Sequence, residues 1–589
     1  MPRALPSFVL ALLIPAASLA AEYRAYWVET FNTPLGTTAE IGRVIDAAVA
    51  SNANALFVQV RRRGDSWYLD SKEPLAEVAG LGEPDASGRP TIDPLRYLVE
   101  QAHARDIEVH AFVIVGSIFN ADPAVRRPVD PNHVFNRHFW DPAASALIPV
   151  TSREQWATRA LPHSTTITSD SSTSWNGQRF GTEWYIDPGH PDAAAYTVEV
   201  LTHLVSRYDV DGLHLDRIRY PEAPIDRPSG EPLGINVGYN DASVARFVAR
   251  HGSAARYYTG DEAGYPVSND PLWNQWRRDQ VTALVRRIYL NATAVKPAIK
   301  VSAALITFWT GPEASGGFEK TEAHYRVFQD WESWAEEGIL DVIAPMDYKR
   351  EHDAAGRAQF DDWMEFTKRL ARERGRHSLI GLGAFVNSVE GTLRQTRRAL
   401  ALPPFADLAK ADGAIFYSLG STSPGSAGGT NVAVTANPFS YPTAGQSTPQ
   451  RPASDFFSAL RTGSTVSGTR LEEPALTPVF AGPVATPAMS WKETPAKGHL
   501  MGFARLPGGV AADGASIVAR NLGTGQTRTA IADGGGFYGF VDLDPGLWEV
   551  TSTIGTATLD GGRVEVSAGR VARGDLTSER PARRRVTGR

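Results

Sequence analysis

The 589-residue sequence predicts an α/β fold, a closed (β/α)8 barrel over residues 22–465, followed by a small all-β sandwich over residues 498–576. Three observations predict it. Eight short apolar runs alternate with stretches whose apolar residues recur every three or four positions, the count that closes a parallel barrel. Two connections are far too long for simple barrel loops, and both leave the C-terminal ends of strands. Beyond residue 465 the composition turns Pro-rich and then breaks into short alternating runs separated by turns.

In chain order, residues 1–21 carry Arg3, an apolar stretch and then small residues, which predicts a cleaved secretory signal peptide. The strands expected are "YRAYWVET" (23–30), "ALFVQVR" (55–61), "IEVHAFVIV" (107–115), "DGLHLD" (211–216), "IKVSAALI" (299–306), "DVIAPMDY" (341–348), "SLIGLGAF" (378–385) and "GAIFYSL" (413–419). "SDFFSALRTG" near 454–463 supplies the last barrel helix. The long connections, 116–190 and 217–272, are rich in aromatic residues, which argues against disorder and for a functional role. Residues 466–497 read as a Pro-rich linker that limits contact between the two parts, and residues 577–589 as a disordered basic tail.

Composition excludes several classes. The formal charge is -6 with the basic residues scattered, so no nucleic-acid face is expected. No later segment is long and apolar enough to cross a membrane. There is no cysteine, hence neither a disulfide nor a thiolate site. No phosphate-binding or dinucleotide loop follows a strand, and "HVFNRH" lacks further ligands at metal-binding spacing, so no cofactor or metal is expected.

The candidate site comes from strand ends. Alternation along "DGLHLD" sends His214 and Asp216 to the face opposite Leu213 and Leu215. In a closed barrel Asp216 then stands at the mouth, with Arg217 and Arg219 opening the next loop. Glu29, Arg61 and Asp347 are placed at the ends of their own strands, with Tyr348 beside Asp347. Paired carboxylates across a cleft are what glycosidic cleavage needs, one to protonate the leaving oxygen and one to attack or activate water. The expected roles are Asp216 as nucleophile or base and Asp347 as acid, with Glu29 as a further carboxylate. Arg61, His214, Arg217, Arg219, Tyr348 and Trp184 are expected to contact substrate. The alternative for Asp216 is an ion pair with Arg61 or Arg217, and for Asp347 a helix cap or a pairing with Lys349.

In these motifs the chain resembles glycosyl-hydrolase-like family ten, exported TIM-barrel proteins. The resemblance runs from about Tyr23 to about Gly420 and rests on "RAYWVET", "ANALFVQVRRRGDSWY", "DPLRYLVEQAHARDIEVHAFV" and "WYIDPGHPDAAAYTVEVLTHLVSRYDVDGLHLDRIRYP". It implies a glycoside hydrolase acting outside the cytoplasm, secreted or periplasmic, on a bacterial polysaccharide such as cell-wall glycan. Asp216 matches the acidic residue that ends the fourth strand. Relatives often carry a second acid next, where this chain has Arg217, and often an uncharged residue where it has Asp347. "ADGGGFYGFVDLDPGLWEV" resembles carboxypeptidase-regulatory-like and transthyretin-like sandwich modules, which implies attachment to the envelope or to glycan.

Overall fold

The computed structural model describes residues 21–162, 166–167, 172–226, 233–351, 353–422, 452–464, 477–554 and 557–577. The expected signal peptide, apart from Ala21, lies outside the described residues, as do residues 465–476 of the spacer and residues 578–589 of the tail.

Eight parallel strands close into a barrel: β1 (Tyr23–Val28), β2 (Ala55–Arg61), β3 (Glu108–Ile114), β4 (Gly212–Asp216), β5 (Lys300–Leu305), β6 (Val342–Pro345), β7 (His377–Gly383) and β8 (Gly413–Tyr417). Each pairs with its sequence neighbours, and β1 closes the ring on β8. Helices follow in turn: α1 (Thr38–Ala50), α2 (Pro94–His103), α3 (Pro191–Arg207), α4 (Asp241–His251) and α5 (Pro271–Val295). They continue with α6 (Trp331–Glu337), α7 (Ala354–Arg374), α8 (Val389–Ala399) and α9 (Ala453–Thr462). Their starts are written locally. Thr37 and Glu40 form a reciprocal cap on α1, while Asp93 and Asp270 cap α2 and α5 directly ahead of a proline.

Strand alternation divides the apolar residues between two layers. Tyr26, Val28, Leu213 and Leu215 face the helices. Tyr23, Ala25, Trp27, Phe57, Phe112, Val342 and Ala344 fill the interior. Trp27 spans that interior because Gly381 leaves it room: a Cβ there would stand 2.6 Å from the indole.

The two long connections build structure of their own. After β3, four two- and three-residue strands form a small sheet over a core of Phe119, Phe135, Phe139, Trp140, Trp156 and Trp184. After β4, α4 packs through Phe247 on Trp273 and Trp276.

The C-terminal part is all β. Strands β9 (Gly498–Arg505), β10 (Ser516–Asn521), β11 (Thr527–Ile531), β12 (Phe537–Leu543), β13 (Gly546–Ile554), β14 (Ala557–Val566), β15 (Val571–Arg573) and β16 (Leu576–Thr577) join in one sheet. Its order is β11-β10-β13-β14-β16-β9-β12, with β15 against β9, and it has its own core around Leu500, Tyr538, Phe540 and Trp548. The spacer does not hold this unit away from the barrel, as its proline content led one to expect. Met489 enters the barrel floor, and Trp491 donates to the Asp341 carboxylate at 2.8 Å. Arg246 and Arg250 bind Asp513, Arg287 binds Asp533 and Arg376 binds Asp542 across the junction. Proline restricts a segment's conformations but does not prevent its docking.

Candidate active site

Asp216 ends β4 at the C-terminal mouth and is partly exposed. Its Oδ1 accepts the backbone N–H of Arg217 at 2.7 Å, and no other hydrogen bond from the described residues reaches its carboxylate. Burial pushes its pKa up, against the pull of Arg217 and Arg219. Arg217 sits in the left-handed region, with φ 50°, a conformation costly for a side chain of this size. That turn sends its guanidinium away from Asp216 and onto the Glu183 carboxylate and the Tyr185 hydroxyl, each at 2.5 Å. Gly116 admits the turn, since a Cβ there would stand 2.7 Å from the Arg217 carbonyl oxygen.

Glu183 is the second carboxylate of this rim. Arg217 and Tyr185 share its Oε2, and Arg63 donates to Oε1 at 3.2 Å. Burial pushes its pKa up, but Arg217, Tyr185 and Arg63 together outweigh burial and hold it below the usual carboxylate range. The mouth thus contains two carboxylates shifted in opposite directions.

Aromatic rings floor the same opening. Tyr348 and Tyr417 lie 5.3 Å apart by ring centroid, and each is within about 6 Å of Trp27. Burial first, and then the charge of Asp216 among others, raises both phenols. Beside Tyr348 a cavity of about 620 Å³ runs along Phe308, Lys349, Glu222 and Trp309. Trp309 is 67 % exposed on its wall.

Several expected site residues prove to be elsewhere. Asp347 is fully buried behind the rim, with neither carboxylate oxygen hydrogen-bonded among the described residues. Burial drives its pKa upward, and its charged neighbours after Lys349 are Asp361, Asp362 and Arg398 on α7 and α8, the helix side of β6. Glu29 is spent on structure: it accepts from the Phe31 and Asn32 amides, the Asn32 side chain and Ser418. Arg61 is 1 % exposed and clamps Glu73 through two bonds of 2.7 Å, so it is spent on that ion pair rather than paired with Asp216. Trp184 is wholly buried in the core of the first insertion, its indole N–H on the Ala121 carbonyl.

His214 is also fully buried. Trp27 donates its indole N–H to Nε2 at 2.9 Å, and because an indole can only donate, the ring proton is on Nδ1, facing Ser302 Oγ at 2.8 Å. Burial keeps this imidazole neutral by lowering its pKa well below the usual value, with His110 adding to the effect. Its work is to fix Trp27. Arg219 is largely buried and donates to the Tyr220 carbonyl, within electrostatic reach of Asp216. Of the expected contact residues, Tyr348 and Arg217 reach the opening.

Glu183 and Tyr417 escaped the sequence reading. Glu183 sits in "EWY", where a two-residue alternation pairs it with Tyr185 on a connection leaving the C-terminal end of a strand. That pattern was the available signal.

A closed (β/α)8 barrel whose C-terminal mouth carries two carboxylates among aromatic rings has the layout of a barrel hydrolase. Sequence comparison then places it: the chain belongs to the Glycosyl hydrolase-like 10 family, whose pattern matches residues 22–231 and 236–385. It is similar to glycosyl hydrolase YngK of Bacillus subtilis (strain 168), 24% identical over 349 residues, covering 58% of this chain and 55% of that one. It is similar also to glycosyl hydrolase DigH of Escherichia coli (strain K12), 24% identical over 301 residues, 50% of this chain and 54% of that one. The chain therefore spans about half the length of the curated relatives it matches. Among solved structures, the PgaB (BpsB) glycoside hydrolase domain from Bordetella bronchiseptica aligns with a TM-score of 0.41 at 13% identity, over 67% of this chain and 94% of that domain.

Proposed function

We propose that the chain is an exported glycoside hydrolase that cleaves a bacterial polysaccharide, cell-wall glycan or exopolysaccharide, with Asp216 and Glu183 as its working carboxylates. The observation that carries this reading is the state of Asp216, a carboxylate at a barrel mouth whose hydrogen bonding is left half unused, with the Tyr348 ring within reach of its charge. A structural carboxylate is ordinarily saturated with donors.

Environments that push two acids apart assign their roles. Asp216, with its raised pKa, is the better suited of the two to donate a proton to the leaving glycosidic oxygen. Glu183, held ionised by arginines, faces the positive charge that develops on the sugar or activates water. The apolar stretch in residues 1–21 supports export, and the docked C-terminal β unit, read as a sandwich module, would hold the barrel near envelope or glycan.

One observation favours a second reading, a glycan-binding protein without turnover: both Glu183 oxygens are already engaged. Reducing-end release from a panel of bacterial glycans across pH decides between them. The hydrolase reading expects a bell, the rate falling at high pH as Asp216 loses its proton and at low pH as Glu183 gains one. Glu183→Gln removes the acid limb. Retention of the protein on glycan with no reducing ends at any pH supports the second reading.

A further inference from the structure

Beside the carboxylates lies a concentration of positive charge of which the proposed reaction uses only Arg63. Strand β2 runs into Arg61, Arg62 and Arg63; Arg61 is bound to Glu73 and Arg63 to Glu183, which leaves Arg62. The Arg62 guanidinium stands over the rings of Phe31 at 5.4 Å and Trp67 at 4.6 Å, which fix its plane. Arg63 shares Phe31 at 4.8 Å and reaches Glu183. Arg126 and Arg127, from the connection after β3, line the same cavity of about 50 Å³.

The acids in that cavity do not neutralise it. Asp65 accepts the backbone N–H of Arg63, and Glu77 that of Val129. Among the described residues no carboxylate lies within ion-pair distance of Arg62 or Arg126, and the Arg62 Nε is buried with no hydrogen-bond partner. Burial lowers the Arg62 pKa, Asp65 opposes this, and the like charges of Arg63 and Arg126 lower it further. Gathering Arg62 and Arg126, neither in an ion pair among the described residues, with two further arginines around a small cavity costs stability unless something anionic completes it.

We propose that this cavity is a subsite for a carboxylate-bearing sugar of the glycan. A guanidinium fork held flat on aromatic rings matches the two oxygens of a planar carboxylate. Arg63 links it through Glu183 and Arg217 to Asp216, so the acidic sugar binds next to the bond that is cut. The subsite rests on the hydrolase reading for its purpose but is measurable without it.

The test uses a uronate-bearing bacterial exopolysaccharide, the same polymer with its carboxyls reduced to alcohols, and a phosphodiester-linked polymer. Retention in affinity gels is measured for each, with reducing-end release alongside. The full chain is expected to bind the uronate polymer about tenfold more tightly than its reduced form, a preference weakened by salt. Arg62→Gln and the exposed Arg126→Gln each lessen that preference, and together they bring it near one. Equal retention of the two forms, or a preference unmoved in the folded Arg126→Gln protein, overturns the subsite. A stronger preference for the phosphodiester polymer, lost in the variants, overturns the choice of carboxylate. Retention with no release from any polymer sinks the hydrolase reading and leaves the subsite standing.

Discussion

The two ends of the barrel hold the same kinds of residue in opposite states. At the floor, Asp341 is fully buried and saturated: it accepts the Val301 amide at 2.8 Å, the Trp491 indole, the Tyr289 hydroxyl and the Lys492 ammonium at 3.1 Å. At the mouth, Asp216 accepts one backbone N–H and otherwise faces the opening. The floor is roofed by Met489 and Trp491 and then by the C-terminal sheet, while the mouth is left to solvent. Residue type therefore says little about role in this barrel. Between Asp216 and Asp341, unfilled hydrogen-bonding capacity goes with the open end of the barrel and saturation with the closed one.

That contrast can be sharpened from the floor. Asp341→Asn turns one accepting oxygen into a donor among donors and leaves the buried Lys492 uncompensated, which costs about 3–5 kcal/mol. A large fall in the thermal midpoint is expected, with reducing-end release per folded molecule unchanged. A midpoint that stays put would show that saturation at the floor carries no stability.

Asp347 breaks the comparison in a third way, being buried and unsaturated yet away from the opening. Asp347→Asn loses no hydrogen bond, so at neutral pH the midpoint is expected to hold or rise slightly, and turnover to stay within about twofold. The sign with pH follows from its raised pKa. The folded protein holds this proton more tightly than the unfolded chain, so the contribution is fully present below the ordinary Asp pKa and is lost as pH rises through the folded value. The advantage of the Asn variant should therefore grow from acid to neutral pH. Calorimetry of both proteins across that range checks it, and loss of turnover in folded Asp347→Asn would return this residue to the site.

The fold was legible because both its periods are strong. Each expected strand appears within a few residues, and α9 begins one residue from its predicted start. The inward direction of His214 and Asp216 followed from a period of two. The same alternation, carried along β6 from Val342 through Ala344, Met346 and Tyr348, turns Asp347 outward, and position at a strand end does not replace it. Arg61 could not be placed this way, because the pairing of β2 with β3 shifts register between Gln59 and Arg61. Aromatic richness in the insertions was ambiguous in principle, since rings that stack on sugar and rings that make a local core look alike in sequence. Here Trp140, Trp156 and Trp184 make a core, and Trp309 on the β5 side is the exposed one.

The measurement that bears most directly on the mouth is Asp216→Asn, read at once for turnover and thermal midpoint. The amide keeps an oxygen for the Arg217 N–H, and the guanidinium remains with Glu183. Hydrolysis is predicted to fall by about 10² to 10⁴ with stability changed by no more than about 1 kcal/mol. Turnover retained in a folded variant, or a collapse of the midpoint that would make Asp216 an ion-pair partner, would contradict the account.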